Sequence, residues 1–144
     1  MSQSKKITVA IDGFSSTGKS TLAKQVAKHL GYVYVDTGAM YRAVTLFAME
    51  NGYITDSFFD KQTLIQSLPF ISLKFKYNHE LGFAEMYLND RNVETEIRSL
   101  AVSGFVSQVA EISEVRAKLV EQQQHMGRQK GIVMDGRDIG TVVF

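Results

Sequence analysis

Residues 7–21 read ITVAIDGFSSTGKST, and this stretch decides the fold class. A run of β-branched and apolar residues, typical of a strand, breaks at Gly13 into GFSSTGKS, which matches the phosphate-binding pattern G-x-x-x-x-G-K-[ST] between a strand and a helix. In that pattern the glycines bring backbone N–H groups close to phosphate oxygens, Lys19 supplies positive charge, and the Ser20 hydroxyl can ligate Mg²⁺. The stretch therefore predicts a loop that binds a nucleoside triphosphate, and the alternative is a glycine-rich turn that binds nothing.

Length and composition indicate one ordinary globular domain. The chain has 144 residues, enough for a single proper core, and its net charge of +1 predicts neither nucleic-acid binding nor attraction to a membrane. It has no cysteine, which excludes a disulfide framework and thiolate metal sites. No signal-peptide pattern precedes the first strand, and no apolar run approaches the ~20 residues of a membrane span. We therefore expect a cytoplasmic protein.

Apolar periodicity predicts alternating strands and helices around the loop. Residues 20–30 are apolar at every fourth position and end at Gly31, as a helix with a C-terminal glycine does. The run YVYVD at 32–36 is typical of a buried parallel strand, and residues 37–51 predict a second helix that Gly52 ends. This order indicates an α/β fold with a parallel sheet and flanking helices.

In the middle of the chain, the pattern of apolar and polar residues changes. We expect Asp56 to cap a short helix that ends before Pro69, followed by alternating strands at 71–77 and 83–88 and a third strand at 93–95. These segments predict a small antiparallel insert over 57–96 within a single domain of residues 1–144. Helices are then expected over 97–112 and 113–129, followed by a buried strand at 131–135.

Two acidic residues follow apolar strands, Asp36 after YVYV and Asp135 after IVM. Ligands of open parallel sheets bind at the carboxyl ends of the strands, so both carboxylates are expected to face the phosphates and their Mg²⁺. The alternative is that one of them only caps a helix or forms a turn.

Three arginines could hold a second phosphoryl group, because a guanidinium donates a forked pair of hydrogen bonds. They are Arg42, Arg116 and Arg137. For Arg42 and Arg116 the alternative is a solvated helix residue. Arg137 follows the strand-end acid Asp135 by two positions and is expected to point into the site.

Four segments in order, IDGFSSTGKST, DTGAMYRAV, SQVAEISEVR and DGRDIGTVVF, make the chain resemble the bacterial cytidylate kinases from Ile7 to Phe144. DTGAMYR and DGRDIGTVVF are more specific than the phosphate loop, which many unrelated nucleotide-binding proteins contain. Adenylate and guanylate kinases are similar in fold and lack both segments. The resemblance implies the P-loop nucleoside monophosphate kinase fold with a small β insert on the monophosphate side.

The resemblance also implies a reaction, transfer of the ATP γ-phosphate to CMP or dCMP with Mg²⁺. It assigns the ATP phosphates to Gly13, Phe14, Ser15, Ser16, Thr17, Gly18, Lys19, Ser20 and Thr21. It assigns CMP to Thr37, Tyr41, Arg42, Ser107, Arg116, Arg137 and Asp138. Together with the reasoning from the loop pattern and the strand ends, this predicts catalytic roles for Lys19, Arg42, Asp135 and Arg137, and a metal held by Ser20 and Asp36.

Within that set, Ser107, Arg116 and Asp138 resemble the residues that read cytosine. A carboxylate can accept a hydrogen bond from the N4 amino group of cytosine, whereas uracil would present an oxygen to it. The resemblance therefore implies a strong bias towards cytosine over uracil.

The chain also departs from the family pattern. Family members continue beyond the segment that matches GTVVF with further strands, an arginine-bearing lid and an adenine-contacting loop. We therefore expect this polypeptide to have weak or no kinase activity, and to self-associate through an uncovered sheet edge where the family is otherwise monomeric. The expected partners are the small molecules ATP and CMP or dCMP.

Two other functions are compatible with a phosphate loop. One is a kinase of another small acceptor such as shikimate, and the other is a non-catalytic nucleotide-dependent switch. A thermal-shift panel with CMP, UMP, AMP and shikimate separates them.

Overall fold

A computed structural model of the chain describes residues 7–12 and 19–136. The first half contains β1 (Thr8–Asp12), α1 (Lys19–Leu30), β2 (Val33–Asp36), α2 (Gly38–Glu50), β3 (Ile54–Thr55), β4 (Phe58–Phe59) and α3 (Lys61–Ser67). The second half contains β5 (Leu73–Asn78), β6 (Phe83–Leu88), β7 (Arg91–Asn92), α4 (Leu100–Ala110), α5 (Ser113–Gln129) and β8 (Ile132–Gly136). Short 3-10 turns lie at Leu68–Phe70 and Glu96–Arg98.

The chain divides into two compact units. The first comprises the residues up to Thr37, the segment 77–84 and the residues from Val120 onward. The second comprises 38–76 and 85–119. Helix α5 therefore contributes its first seven residues to the second unit and the remainder to the first.

The first unit is built on a parallel sheet with the strand order β1-β8-β2. Strand β8 takes the central position because its run Ile-Val-Met is apolar on both faces, and Val133 and Met134 are fully buried. The predicted α/β fold with a parallel sheet is thus confirmed, and the strand expected at 131–135 lies at Ile132–Gly136.

Helix α1 covers one face of this sheet. Its small residues Ala23 and Ala27 pack against Tyr34 of β2 and Val133 of β8. The helix ends as predicted at Gly31, whose φ of +68° is a left-handed conformation that glycine adopts without a steric penalty. The small side chains on α1 let the helix lie close to the sheet.

Helix α2 forms the centre of the second unit and packs against α4 and the 3-10 turn at Glu96–Arg98. Its buried residues are Ala39, Met40, Ala43, Val44, Thr45, Leu46 and Ala48. It ends where predicted, at Gly52 with a φ of +71°. Helix α3 and the strand pair β3-β4 lie in the same unit.

The small second sheet has the order β5-β6-β7. Strand β6 alternates between half-buried and buried residues and has the predicted bounds, Phe83–Leu88. The turn before it is also as predicted, because the Gly82 amide donates to the Asn78 carbonyl at 2.8 Å. The proposed extent of the insert, 57–96, stays a prediction.

The expected helix cap at Asp56 is wrong. Ile54–Thr55 pairs with Phe58–Phe59 in an antiparallel hairpin, so Asp56 lies in the turn of that hairpin. The cap is Asp60, whose Oδ1 accepts a hydrogen bond from the Thr63 amide at 3.1 Å. Only Asp60 is followed directly by the helix, whereas the residues after Asp56 form the second strand of the hairpin.

The third strand of the insert lies earlier than expected. Asn89 and Asp90 both have positive φ, 48° and 68°, and form a two-residue turn that brings Arg91 directly opposite Leu88. Strand β7 is therefore Arg91–Asn92, and the prediction of a strand at 93–95 is wrong.

The helix expected over 97–112 is interrupted. The 3-10 turn at Glu96–Arg98 is followed by Ser99 in an extended conformation, and the Ser99 side chain accepts from the Val102 amide as the N-cap of α4. The next helix, α5, has the predicted bounds, Ser113–Gln129. Across the described ranges, no helix is long and apolar enough to cross a membrane.

Candidate functional site

The carboxyl ends of the three parallel strands meet at one edge of the first unit. Asp135 lies in register between Ile11 of β1 and Asp36 of β2, and Asp12 lies opposite Gly136. Neighbouring strands are about 4.8 Å apart, so the two predicted strand-end carboxylates belong to adjacent residues. Strand β1 ends at Asp12 and helix α1 begins at Lys19, so the phosphate-binding pattern is flanked by a strand and a helix, as it requires.

Asp135 is held at both its side chain and its backbone. It is only 1% exposed, and its Oδ2 accepts a hydrogen bond from the Tyr34 hydroxyl at 2.8 Å. Its carbonyl oxygen accepts from the Thr37 amide at 3.1 Å and from the Thr37 hydroxyl at 2.7 Å. The end of β2 is therefore tied to the end of β8 just before α2 begins.

Thr37 and Asp36, which the sequence assigns to CMP and to the metal, lie at this edge. Thr37 is buried, and Asp36 is half-buried. The structure thus brings Asp36, Thr37 and Asp135 together at the strand ends. Thr21 lies exposed in the first turn of α1.

Arg42 lies on α2 in the second unit and is held by two acceptors. Its Nη1 donates to the Ile97 carbonyl at 3.1 Å and to the Ser103 hydroxyl at 2.8 Å. Ser103 belongs to α4, one helical turn before the predicted cytosine-reading residue Ser107, so the two serines share a face of the helix. The structure therefore brings Arg42 to the face of α4 that contains Ser107.

Ser103 and Tyr34 are candidate site residues that the sequence reasoning missed. The only sequence signal for Ser103 is its four-residue spacing from Ser107. Tyr34 lies two residues before the strand-end acid Asp36, and strand alternation therefore puts both on one face.

The other described CMP candidates lie in the second unit as well. Tyr41 is half-buried on α2, and its carbonyl accepts from the Thr45 hydroxyl at 2.8 Å. Ser107 on α4 and Arg116 near the start of α5 have exposed side chains. Their roles in binding CMP stay predictions.

Several predicted site residues lie outside the described residues. They are Gly13, Phe14, Ser15, Ser16, Thr17 and Gly18 of the loop, and Arg137 and Asp138 after β8. Lys19 and Ser20 are described only as the first residues of α1.

The donor set at the strand ends fits Mg²⁺. This ion takes oxygen ligands and is usually held through one or two carboxylates together with substrate phosphates and water. Asp36 and Asp135 supply two neighbouring carboxylates at the edge where α1 begins. Within 7–12 and 19–136 no group of three or more His, Cys, Asp or Glu side chains that could hold a metal ion occurs.

The chain matches the sequence model of the cytidylate kinase family over residues 9–144. It belongs to that family. It is 71% identical to the cytidylate kinase of Flavobacterium psychrophilum and 73% identical to that of Flavobacterium johnsoniae, in each case over 97% of the chain. It is 54% identical to the cytidylate kinase of Bacteroides thetaiotaomicron over the same share. The resemblance inferred from the four sequence segments is thereby confirmed.

The chain spans about six tenths of the length of these relatives, 62%, 61% and 61% respectively. The match to the family model, over residues 9–144, includes both DTGAMYR and DGRDIGTVVF.

Proposed function

We propose that this protein transfers the γ-phosphate of ATP to CMP or dCMP, giving ADP and CDP or dCDP. The observation that carries the proposal is the identity of 71–73% to proteins named cytidylate kinase, over 97% of the chain. Two features support it, one in each unit: the neighbouring strand-end carboxylates of Asp36 and Asp135, and the guanidinium of Arg42, which hydrogen bonds hold in place. Carboxylates that can bind Mg²⁺ and an arginine that can bind a phosphate both suit phosphoryl transfer.

The residues divide the chemistry between donor and acceptor. Residues 13–21 would hold the ATP phosphates through backbone N–H groups, with the Lys19 ammonium balancing charge on the transferred group. Bound Mg²⁺ would neutralise charge on the phosphates, held through Ser20 and Asp36 with Asp135 beside them. Phosphoryl transfer needs positioning and charge neutralisation rather than a covalent enzyme nucleophile.

On the acceptor side, Arg42 would bind the CMP phosphate, and Arg137 would add a second guanidinium there. The Arg42 Nη1 is occupied by Ile97 and Ser103, which fixes the plane of the guanidinium. A guanidinium with a fixed plane loses less conformational freedom when it binds a phosphate. Thr37 and Tyr41 would line the same site.

Base selection would depend on Ser107, Arg116 and Asp138. The Asp138 carboxylate would accept a hydrogen bond from the cytosine N4 amino group. Ser107 and Arg116 would donate hydrogen bonds to N3 and O2 of the base. Uracil would bring an oxygen towards the carboxylate and leave two acceptors facing each other, which is unfavourable in a desolvated site. We further propose that the protein acts in the cytoplasm.

A thermal-shift panel tests this proposal on the chain. CMP should raise the melting temperature, and UMP, AMP and shikimate should raise it much less. A rise in melting temperature with shikimate and none with CMP would favour the kinase of another acceptor. A rise with ATP but with none of the four acceptor compounds would favour the nucleotide-dependent switch.

The substitution Arg42→Ala should remove the shift with CMP and keep the shift with ATP. Arg128→Ala is the matched control, because Arg128 is an exposed arginine in the last turn of α5. An unchanged CMP shift in Arg42→Ala would contradict the assignment of Arg42 to the acceptor phosphate.

A further inference from the structure

Tyr34 and Asp135 form a buried hydrogen-bonded pair, and the chemistry proposed above gives Tyr34 no role. Tyr34 lies in the middle of β2 and is 4% exposed, and Asp135 near the end of β8 is 1% exposed. The tyrosine hydroxyl donates to the Asp135 Oδ2 at 2.8 Å, across 101 positions of sequence. Both polar groups have been removed from water, so each depends on the other for part of its hydrogen bonding.

The sheet register explains why these two side chains meet. Tyr34 lies opposite Val133, and Asp36 lies opposite Asp135. Alternation along the strands therefore puts Tyr34, Asp36, Val133 and Asp135 on one face, the face that α1 covers. On this face Asp135 is the next residue of β8 after Val133. The side chain of Tyr34, which starts beside Val133, therefore reaches the Asp135 carboxylate with its hydroxyl.

The tyrosine ring is itself fixed by its surroundings. It packs in the cluster of Ala23, Ala27 and Val133, with Phe83 at the periphery. The Lys24 ammonium lies 5.6 Å from the centre of the Tyr34 ring and 5.3 Å from that of Phe83, within the range of cation–π attraction. A ring held this way keeps its hydroxyl directed at one oxygen of Asp135.

Fixing one oxygen of a carboxylate fixes the plane of the whole group and hence the direction of the other oxygen. Packing alone does not explain the pair, because two apolar residues would fill the same space without desolvating a carboxylate. The pair lies at the carboxyl ends of the strands, where parallel sheets bind their ligands. Its position therefore points to a role in the site.

We propose that Tyr34 is a positioning residue, which orients the Asp135 carboxylate towards the Mg²⁺ that would accompany the phosphates of the donor nucleotide. The proposal rests on the proposed function, because it takes the edge formed by β1, β8 and β2 as the nucleotide site. Residues that orient metal-site carboxylates through hydrogen bonds contribute about tenfold or more to metal affinity in other proteins.

Isothermal titration of the chain with ADP, once with Mg²⁺ and once with EDTA, tests the proposal. The readout is the gain in ADP affinity that Mg²⁺ produces. Tyr34→Phe keeps the ring and removes the hydroxyl, and it should reduce that gain about tenfold while the affinity in EDTA stays within about twofold. Asp135→Asn should reduce the gain at least as much, and the double variant should equal Asp135→Asn.

Tyr32→Phe is the matched control. The Tyr32 hydroxyl accepts from the Ile7 amide at 2.8 Å, so this change also removes one tyrosine hydroxyl and one hydrogen bond next to β2. It should leave the Mg²⁺-dependent gain unchanged.

Three results would overturn the inference in distinguishable ways. An unchanged gain in Tyr34→Phe, with a reduced gain in Asp135→Asn, would reject Tyr34 as a positioning residue and keep the proposed site. An equal loss of affinity with Mg²⁺ and with EDTA in Tyr34→Phe would assign Tyr34 to packing. An unchanged gain in Asp135→Asn would reject the donor site at these strand ends.

Discussion

The guanidinium of Arg42 is held by groups from two segments, the Ile97 carbonyl and the Ser103 hydroxyl. Such a side chain differs from a solvated helix arginine, which has no fixed partners and adopts many rotamers. The alternative that Arg42 is a solvated surface residue is therefore contradicted by its contacts. Its role at the CMP phosphate remains a proposal.

Removing the Ser103 hydroxyl should loosen Arg42 without removing its charge. We predict that Ser103→Ala weakens CMP binding about threefold, because one hydrogen bond to a charged group at an exposed position is worth little. Ser103→Thr, which keeps the hydroxyl, should bind CMP like the parent chain. Calorimetric titration with CMP measures both, and equal weakening in the two variants would show that the bond to Arg42 is irrelevant.

At the start of α3, Asp60 makes stability depend on pH. Its carboxylate accepts from the Thr63 hydroxyl at 2.6 Å and from the Thr63 amide at 3.1 Å, and these bonds lower the pKa of Asp60 below its ordinary value of 3.8. The pKa of Asp60 is lower in the folded protein than in the unfolded chain. The stabilisation of the folded state by ionised Asp60 is therefore fully present above pH 3.8 and is lost as the pH falls through the folded-state pKa.

We therefore predict that Asp60→Ala lowers the melting temperature at neutral pH and that the difference from the parent shrinks in acid. Asp60→Asn should retain more of the stability at neutral pH, since asparagine is also a good N-cap, but it does not titrate. Melting curves by circular dichroism across the acid range measure both effects. A difference that stays constant with pH would contradict the capping role of the ionised carboxylate.

At the scale of elements, the helix ends are set by glycines whose conformation other residues resist. Gly52 ends α2 with a φ of +71°, whereas Gly104 lies inside α4. A β-carbon added at either position would meet no atom within 4 Å, so only the backbone distinguishes the two sites.

The same substitution should therefore have opposite effects at these two glycines. Gly52→Ala should destabilise the protein by about 1–2 kcal/mol because alanine is strained in the left-handed region. Gly104→Ala should stabilise it by about 0.5–1 kcal/mol by favouring the helix. Urea denaturation measures both free energies of unfolding, and effects of the same sign would contradict this account.

Elements defined by local residues could be predicted from the sequence. The helix ends at Gly31 and Gly52 and the strand Phe83–Leu88 depend on neighbours in the chain, so their patterns were sufficient. The capping residue of α3 could not be predicted, because the hairpin that places Asp56 in a turn depends on the pairing of Ile54–Thr55 with Phe58–Phe59.

At the scale of the whole molecule, the site depends on which strands are neighbours. The sequence predicts that Asp36 and Asp135 both end strands, and the order β1-β8-β2 makes them adjacent. The hydrogen bond between Tyr34 and Asp135 requires both this order and the register, which nothing in the local sequence specifies. The hydrogen bond from Arg42 of α2 to Ser103 of α4 likewise depends on the packing of these two helices.

The central position of β8 predicts where the stability of the sheet is concentrated. Met134 is 0% exposed and lies opposite both Ala10 and Val35, so Met134→Ala should lower the free energy of unfolding by about 2–5 kcal/mol. Leu100 is 91% exposed, and Leu100→Ala should change it by no more than about 0.5 kcal/mol. Chemical denaturation compares the two, and a small effect at Met134 would contradict the assignment of β8 to the core.

The proposed function requires that the protein recognise the cytosine base. The chain is 71–73% identical to proteins named cytidylate kinase and belongs to their family. The most direct test is calorimetric titration of the chain with CMP and with UMP under identical conditions. We predict that CMP binds at least tenfold more tightly than UMP, a difference in binding free energy of about 1.4 kcal/mol or more. Equal affinities for the two nucleotides, or no binding of CMP, would contradict it.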